Sequence, residues 1–353
     1  MNVLVIGGTG FIGPYLVRLL AGMGHSVGVF HRGKSRLDLP AEHIFGDWRE
    51  LPKLKLKTDI VVDLILASGA QARELMATFH GRARRVIAAS SADVYRACGI
   101  LHRLEDGPPD PVPLTEESPL RTKPQTYPPE QIEMIKKMVP WWDDSYDKIQ
   151  VEQAIMSDAD LPGTVVRLPM IYGPGDYARR FHPVLKRIDD RRPFILYEQG
   201  WATWRAPRGY VENVAEALAL AVTNERAAGR IYNVAEWPAY SELEWARRIA
   251  AATHWKGEFM VLPNEQAPPH LKPPGNTAQH WELDSTRIRR ELGYCEIIPL
   301  DEACPAPLSG SGRILLANLI RTLSITQPRI RPSRSRITRS RGRFSSRGQV
   351  RAA

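Results

Sequence analysis

Three glycines near the start of the chain have a spacing that suits phosphate binding. Gly7, Gly10 and Gly13 are separated by two residues each, and they follow the apolar run Val3–Ile6. Helical spacing of apolar residues begins at Phe11, so the glycines lie on a strand-to-helix turn. There Gly7 would permit the tight turn, Gly10 would let the backbone approach a pyrophosphate, and Gly13 would let the helix pack closely on the strand. The spacing predicts a dinucleotide site, with the phosphates at the positive helix N-terminus.

Strand-like and helix-like patterns alternate through the first half of the chain, and they must position this turn. The alternation predicts an α/β fold with a doubly wound parallel sheet. A Pro-rich acidic stretch, Leu104–Pro129, is predicted to be a long surface loop, after which helix 142–157 and strand Gly163–Leu168 resume the pattern. The earlier predicted elements are the strands Val3–Ile6, Ser26–His31, His43–Phe45, Asp59–Ala67 and Arg85–Ser90 and the helices 11–23 and 71–81.

From Pro169 the pattern loosens into a smaller mixed α/β region. We therefore predict a nucleotide-binding domain at 1–168, a substrate-binding region at 169–303 and a disordered Arg/Ser-rich tail at 304–353. The elements predicted in the second part are helices at 211–224, 241–253 and about 284–292 and a strand at Arg230–Val234.

Composition indicates a soluble cytoplasmic protein. The 353 residues are 43% hydrophobic, enough for a sizeable core, and no apolar stretch reaches the roughly 20 residues that span a bilayer. The chain starts without the basic segment of a secretory signal peptide. Its three cysteines, Cys98, Cys295 and Cys304, are widely spaced and odd in number, which favours a reducing compartment. The nine histidines form no ligand cluster, so no metal site is predicted.

The net charge of +9 comes from the tail. Residues 305–353 contain eleven arginines and no acidic residue, which leaves 37 basic against 39 acidic residues in 1–304, a net charge of −2. Nucleic-acid binding is therefore not expected of the folded part, and a basic arm for RNA or another polyanion would be a property of the tail alone. The favoured alternative is that the reading frame changed near Ala303, so that the tail has no function.

Eight short segments occur in an order typical of one protein family. They are GGTGFIG at 7–13, the pair Gly46-Asp47, SSADVY at 90–95, TEESPL at 115–120, KIQVE at 148–152, RLPMIYGPGD at 167–176, RGYVENVAEA at 208–217 and YNVAE at 232–236. Together they resemble the extended and atypical short-chain dehydrogenases/reductases, the NAD(P)-dependent epimerase/dehydratase family. The resemblance covers about residues 1–303. It implies a Rossmann domain, a smaller C-terminal substrate domain, a site between them for a small-molecule substrate, and a homodimer as one possible assembly.

The end of the second predicted strand distinguishes NAD from NADP. NAD-binding members of such folds hold the ribose 2′-hydroxyl with an acidic residue there, whereas this chain has His31 followed by Arg32 and Lys34. Arg32 can pair with a 2′-phosphate and Lys34 adds charge, so NADP is predicted, with NAD as the alternative. A solvated loop would also explain these two residues. Asp47 resembles the family's aspartate near the adenine amino group, or is a turn residue. The resemblance implies further cofactor contacts from Gly7, Gly10, Phe11, Ile12 and Gly13.

The resemblance also implies roles for two residues that follow the fifth predicted strand. Ser91 falls where the family keeps a serine or threonine that hydrogen-bonds the reacting carbonyl or hydroxyl, a task that a hydroxyl can perform as donor or acceptor. Asp93 lies where dehydratase members have an acid used in eliminating water. Alternatively, Asp93 orders the turn.

The catalytic pair of the family is Tyr-x-x-x-Lys, and this chain contains no such pair. Lys148 matches the lysine, which in the family lowers the pKa of the tyrosine and binds the nicotinamide ribose. Asp144 stands four residues before it, and Tyr146 stands two before, about 200° round a regular helix. Tyr146 can serve only if the helix begins irregularly near Ser145. The general acid/base is therefore Tyr146, Asp144 or absent.

Four residues are candidates for substrate binding besides Asp93. By resemblance, Tyr172 lies beside the nicotinamide. Trp204, Arg205 and Arg208 interleave aromatic and basic side chains at the mouth of the predicted cleft. Arginines can bind a diphosphate or carboxylate while an aromatic face stacks on a sugar or base. Packing at the domain interface would equally explain these residues.

The sequence thus predicts an NAD(P)-dependent epimerase, dehydratase or reductase that acts on a small hydroxyl or carbonyl substrate, with a nucleotide sugar as one candidate. The alternative is a non-catalytic NAD(P)-binding regulatory or RNA-binding protein on the same fold. The missing Tyr-x-x-x-Lys favours the alternative, and Ser91, Lys148 and the glycine turn favour an enzyme.

Overall fold

The chain folds into alternating strands and helices, which the computed structural model describes for residues 1–34, 38–124, 126–139, 142, 144–300 and 302–303. The strands are β1 (Asn2–Ile6), β2 (Ser26–His31), β3 (Glu42–Phe45), β4 (Ile60–Asp63), β5 (Arg85–Ser91), β6 (Gly163–Leu168), β7 (Met170–Tyr172), β8 (Phe194–Glu198), β9 (Arg208–Tyr210), β10 (Arg230–Asn233) and β11 (Glu258–Leu262). The α-helices are α1 (Gly13–Gly22), α2 (Gly69–Phe79), α3 (Arg96–Leu101), α4 (Pro129–Met138), α5 (Lys148–Ile155), α6 (His182–Asp189), α7 (Gln199–Thr203), α8 (Val211–Thr223), α9 (Glu242–Ala252) and α10 (Thr286–Leu292). The predicted tail at 304–353, and the disorder predicted for it, lie outside the described residues.

A seven-stranded parallel sheet in the order β3-β2-β1-β4-β5-β6-β10 forms the centre of the fold. Val5 of β1 pairs with Val29 of β2 on one side and with Val62 of β4 on the other. The strand order reverses between β1 and β4, and ligands of such sheets bind at the carboxyl ends of the strands at this reversal. The predicted doubly wound Rossmann-type sheet is confirmed, and the glycine turn after β1 lies at the reversal. Two small parallel pairs, β7 with β9 and β8 with β11, accompany it.

Both faces of the central sheet are covered, which explains why its strands are continuous apolar runs. Alternate residues of a strand point to opposite faces. Val3 and Val5 accordingly pack in a cluster with residues of α1 and α8. Leu4 and Ile6 pack in a second cluster with residues of α2 and α5. Packing on both faces therefore fixes the carboxyl ends of the parallel strands, all on one side of the sheet.

Three predictions differ most from the structure. The strand predicted at Asp59–Ala67 ends at Asp63, because the Asp63 carboxylate accepts a hydrogen bond from Ile65 N (2.8 Å) and turns the chain. The stretch Leu104–Pro129 is not a surface loop throughout, since residues such as Arg121 are buried in it. The helix predicted at 142–157 begins only at Lys148.

The boundary predicted at residue 168 stays a prediction. Although β10 belongs to the second part of the chain, it pairs with β6 and extends the central sheet. No helix in the described ranges has the length and apolar character needed to cross a membrane, and the cytoplasmic location stays a prediction.

Candidate functional site

The glycine turn has the geometry that the sequence predicts. Gly7 has a φ of +79°, a conformation that favours glycine. Gly10 N donates to Gly7 O (3.0 Å) and closes the turn. A Cβ on Gly13 would overlap the backbone of Gly8, so the close packing of helix on strand requires glycine there. Ile12, which precedes α1, makes no side-chain cap hydrogen bond. Pro14 has no N–H and Tyr15 N donates to Ile12 O (3.1 Å), so the N–H of Gly13 is the first-turn donor without an acceptor in the helix, and it can serve an anion. The turn therefore fits a pyrophosphate.

The end of β2 presents two exposed cations beside this turn. Arg32 and Lys34 are exposed, whereas His31 is buried and hydrogen-bonded to His43 (Nε2 to Nδ1, 2.8 Å). Burial, together with the neighbouring His43, lowers the pKa of His31. Asp47 caps the short helix that follows β3, accepting a hydrogen bond from the backbone of the helix's second residue (3.1 Å). The cofactor contacts of Arg32, Lys34, Asp47, Phe11 and Ile12 stay predictions.

Tyr146 reaches the end of β5 because it precedes α5. The Asp147 side chain caps that helix, accepting from Ile149 N (3.0 Å) while its own backbone is extended (φ −155°). Tyr146 is therefore not on the helix, and the angular offset of a regular helix does not apply to it. Its hydroxyl donates to Asp93 Oδ2 (2.8 Å) and shares a hydrogen bond with Ser91. The structure thus brings together three residues that the sequence singled out separately.

Asp93 is the centre of this hydrogen-bonded group. It is 1% exposed, and its Oδ2 accepts from Tyr146 and also from Tyr127 (3.0 Å). Its backbone N donates to Ser91 Oγ (3.2 Å). Its Oδ1 is buried and has no hydrogen-bond partner among the described residues. Sequence reasoning missed Tyr127, because nothing in its local pattern indicates contact with a residue 34 positions earlier.

Burial is the main cause that raises the pKa of both tyrosines well above the usual value, and the charge of Asp93 raises them further. Tyr127 and Tyr146 are therefore neutral donors at physiological pH. This differs from the family arrangement, in which a lysine lowers the pKa of the tyrosine.

Lys148 is buried at the carboxyl edge of the sheet beside this group. Its Nζ donates to Leu66 O (2.5 Å) and Ala89 O (2.9 Å), and it lies 5.8 Å from the centroid of the Tyr146 ring. Burial lowers the pKa of Lys148 to about 8, although the negative charges of Asp93 and other nearby acids act to raise it. Lys148 thus adds a cation to the site.

Asp144 does not join this group. Its side chain is 84% exposed, and its Oδ1 lies 2.7 Å from Lys136 Nζ. Of the two residues that could have replaced the family tyrosine, the structure brings only Tyr146 to Ser91 and Asp93.

Trp204, Arg205 and Arg208 all have protein partners, and their substrate contacts stay predictions. The Trp204 indole donates to Gln279 O (2.9 Å). Arg205 forms an ion pair with Glu244 (3.4 Å) and donates to Ala239 O. Arg208 forms an ion pair with Glu242, and its guanidinium lies over the rings of Phe181 and Trp245. Among the residues described, no group of three or more His, Cys, Asp or Glu side chains is placed to hold a metal ion.

Tyr172 is buried against a carboxyl group that the sequence did not single out. Its hydroxyl donates to Glu236 at 3.1 Å, and Tyr210 N donates to the same carboxyl at 2.8 Å. Burial raises the pKa of Glu236 from 4.5 to about 7. Glu236 is therefore largely protonated below neutral pH.

Replacing Glu236 by Gln is expected to remove a pH-dependent loss of stability. A group whose pKa is higher in the folded than in the unfolded state stabilises the fold at pH values below its unfolded-state pKa. This contribution is lost as the pH rises through its folded-state pKa. Between about pH 4.5 and about pH 7, the free energy of unfolding of the wild type should fall by about 3 kcal/mol relative to Glu236→Gln. Urea unfolding across this range measures the difference. The exposed Glu74→Gln is the control, and a pH-independent difference for Glu236→Gln would contradict the expectation.

The sequence matches the family model described as the NAD dependent epimerase/dehydratase family over residues 3–235. The chain belongs to this family. The membership confirms the resemblance that the eight sequence segments indicated.

Similar proteins include a plant chloroplast protein and two solved structures with UDP-glucuronic acid and NAD bound. The chain is 26% identical over 255 residues to the chloroplast stem-loop binding protein of 41 kDa b of Arabidopsis thaliana, covering 66% of this chain but only 58% of that protein's length. MoeE5 in complex with UDP-glucuronic acid and NAD is 21% identical with a TM-score of 0.62, covering 87% of this chain and 97% of that one. UDP-glucuronic acid 4-epimerase from Bacillus cereus, in complex with UDP-glucuronic acid and NAD, is 16% identical with a TM-score of 0.62, covering 86% and 96%. At these identities the two solved structures show a shared fold.

Proposed function

We propose that this family member is an NAD(P)-dependent oxidoreductase of the epimerase/dehydratase kind, acting on a hydroxyl or carbonyl of a small sugar substrate. One observation carries the proposal. Ser91, Asp93 and Tyr146 form a hydrogen-bonded group beside Lys148 at the carboxyl edge of the sheet. That edge also carries the glycine turn, where the residues fit a dinucleotide.

The chain's residues would hold the dinucleotide at two places. The glycine turn and the α1 N-terminus would bind its phosphates, and Lys148 would bind the nicotinamide ribose. When bound, the nicotinamide supplies reversible hydride transfer. A bulky side chain at Gly10 would project into the space that the phosphates need, since its Cβ meets only Gly7 O (3.2 Å).

The hydrogen-bonded group of Ser91, Asp93 and Tyr146 can transfer a proton to and from the substrate. The Ser91 hydroxyl can orient the reacting oxygen of a substrate, as a donor to a carbonyl or an acceptor from an alcohol. The substrate hydroxyl can give its proton to the Tyr146 oxygen. At the same time the tyrosine passes its own proton along the 2.8 Å hydrogen bond to Asp93 Oδ2. In the reverse direction Asp93 returns the proton, and the phenol acts as the acid.

A panel of UDP-sugars, each with NAD or NADP, tests the proposed function, because MoeE5 and the Bacillus cereus epimerase are named with such ligands. Product formation followed by mass spectrometry and NMR should identify a substrate. Ser91→Ala should then lower turnover by about 100-fold with unchanged affinity for the cofactor. Turnover that is unaffected by Ser91→Ala would remove the hydroxyl from the mechanism.

NADP is the cofactor that the end of β2 supports, since two of the three residues after His31 are the exposed cations Arg32 and Lys34, and the third is Gly33. The double variant Arg32→Ala/Lys34→Ala is expected to bind NADPH at least tenfold more weakly, because each lost contact to a phosphate is worth on the order of 1.5 kcal/mol. Its affinity for NADH should stay unchanged. Calorimetric titration measures both, and an equal loss for the two cofactors would contradict NADP selectivity.

A non-catalytic RNA-binding protein is the second candidate, and the similarity to the chloroplast stem-loop binding protein favours it. The absence of Tyr-x-x-x-Lys is consistent with it. Salt-dependent binding of a stem-loop RNA, with no turnover of any sugar in the panel, would move this candidate ahead.

A further inference from the structure

A cavity of about 490 Å³ lies where the N-terminal ends of α2 and α5 meet. Trp142 and Tyr146, whose rings stack with centroids 3.5 Å apart, line one side of it. Gly69 and Ala70, the first residues of α2, also line it. The cavity is therefore next to the proposed catalytic group and shares Tyr146 with it.

The α2 N-terminus leaves backbone donors at this cavity. The first intrahelical hydrogen bond runs from Ala72 N to Ser68 O (3.0 Å), and Ser68 Oγ accepts from Gln71 N (3.4 Å). The N–H groups of Gly69 and Ala70 precede these bonds and have no acceptor within the helix. The 11-residue helix also places the positive end of its dipole here.

Arg73 adds a full positive charge to the same place. Its side chain is exposed, and its Nη1 lies 3.1 Å from the position that a Cβ on Gly69 would occupy. The guanidinium therefore lies close to the first turn of α2. Within the described part of the chain, no carboxylate forms an ion pair with it. A guanidinium in this setting can form paired hydrogen bonds to a phosphate or carboxylate.

Thr126 is an independent sign of a ligand. Thr126 is one of the residues around the cavity, and it is only 3% exposed. Its Oγ1 has no hydrogen-bond partner among the described residues. A buried hydroxyl without a partner destabilises a fold, so an oxygen acceptor in the cavity would restore the missing hydrogen bond.

The two acidic residues among the described residues that line the cavity, Asp144 and Asp147, each have a basic partner. Asp144 lies 2.7 Å from Lys136 Nζ. Asp147 accepts from Ile149 N (3.0 Å) and lies 3.6 Å from a guanidinium nitrogen of Arg121. Neither carboxylate is paired with Arg73, whose charge lies at the α2 N-terminus.

We propose that this cavity binds a small anionic ligand, a phosphate- or carboxylate-bearing molecule of about the size of a sugar. Its anionic group accepts hydrogen bonds from the first turn of α2, from Arg73 and from the Thr126 hydroxyl. Its body lies toward the stacked rings of Trp142 and Tyr146. The site is additional to the dinucleotide site at α1, and the proposal does not depend on the proposed catalytic activity.

Calorimetric titration of the full-length protein with inorganic phosphate, glucose 1-phosphate and glucuronate tests the proposal. We expect saturable binding of at least one of the two sugar anions, and the preferred anion distinguishes phosphate from carboxylate chemistry. Arg73→Ala and Thr126→Val should each weaken it by at least tenfold. Arg84→Ala, which removes an exposed arginine paired with Asp59 and Glu225, should leave it unchanged. Binding should persist with excess NADPH present, because the two sites differ.

Three results would overturn the proposal: no saturable binding of any of the three anions, equal affinity of Arg73→Ala and the wild type, or displacement of the anion by NADPH. Melting temperatures identify misfolded variants. Arg73→Ala should melt like the wild type because the side chain is exposed, so a folding defect cannot hide the result. Because binding is measured without turnover, failure of the catalytic proposal would leave this result unchanged.

Discussion

Tyr146→Phe is expected to lower turnover by about 1000-fold while the affinity for the dinucleotide stays within twofold of the wild type. The substitution removes only the hydroxyl that joins Ser91 to Asp93, and the ring can keep its stack on Trp142. Steady-state kinetics with the sugar that the UDP-sugar panel identifies would measure the loss. It should be in kcat, because proton transfer occurs in the transition state.

Two further variants make this prediction specific. Tyr240→Phe removes a phenol that contacts Arg248 and should keep wild-type kinetics. Asp93→Asn keeps the shape of the side chain but cannot accept the proton, so it should lose turnover to a similar extent as Tyr146→Phe. If Tyr146→Phe retained most of the activity, the general acid/base would lie elsewhere.

Gly13→Ala is expected to disrupt both the fold and dinucleotide binding. The new Cβ would overlap the backbone of Gly8, so α1 must move away from β1. Forcing extra volume into a close-packed contact typically costs about 1–3 kcal/mol, and the overlap with backbone atoms here places the expected cost at the upper end of this range. Urea unfolding should show the loss of stability, and titration with NADPH should show weaker binding because the helix N-terminus has shifted.

Gly22→Ala in the same helix is the matched control. No atom lies within 4 Å of the position of its new Cβ. Alanine favours a helix over glycine by about 0.5–1 kcal/mol, so this variant should equal or exceed the wild type in stability. A small effect at both positions would mean that the close contact between α1 and β1 is not needed.

The strands of the sheet could be predicted because burial on both faces makes them continuous apolar runs. The strand Gly163–Leu168, for example, has the same bounds in the prediction and in the structure. Strand Asp59–Ala67 is too long in the prediction, since apolar character continues beyond Asp63 where the backbone turns. The apolar pattern of the sequence indicates which residues are buried, but it does not indicate where the pairing of a strand with its neighbours ends.

Helix α4 was missed, because it lies between the predicted loop Leu104–Pro129 and the helix predicted at 142–157, in a stretch for which no element was predicted. Pro129 in its first turn and the helical spacing of Ile132 and Ile135 are the signals that could have identified it. Tyr127, just before it, contacts Asp93 only through tertiary packing.

The position of Tyr146 could not be fixed from the sequence. Three alternatives for the general acid/base were open: Asp144 four residues before Lys148, Tyr146 two residues before it, or no such group. The choice depends on where α5 begins, and that is decided by the Asp147 cap. Glu236 likewise acquires its raised pKa only through burial beside Tyr172.

Titration of the full-length protein with NADPH and NADH is the measurement that tests the central claim most directly. We predict saturable binding of one dinucleotide per chain, tighter for NADPH. Binding should be lost in Gly10→Val, whose added side chain would enter the space for the phosphates, while the melting temperature stays near that of the wild type. If neither dinucleotide binds to the wild type, the glycine turn is not a cofactor site and the oxidoreductase proposal fails.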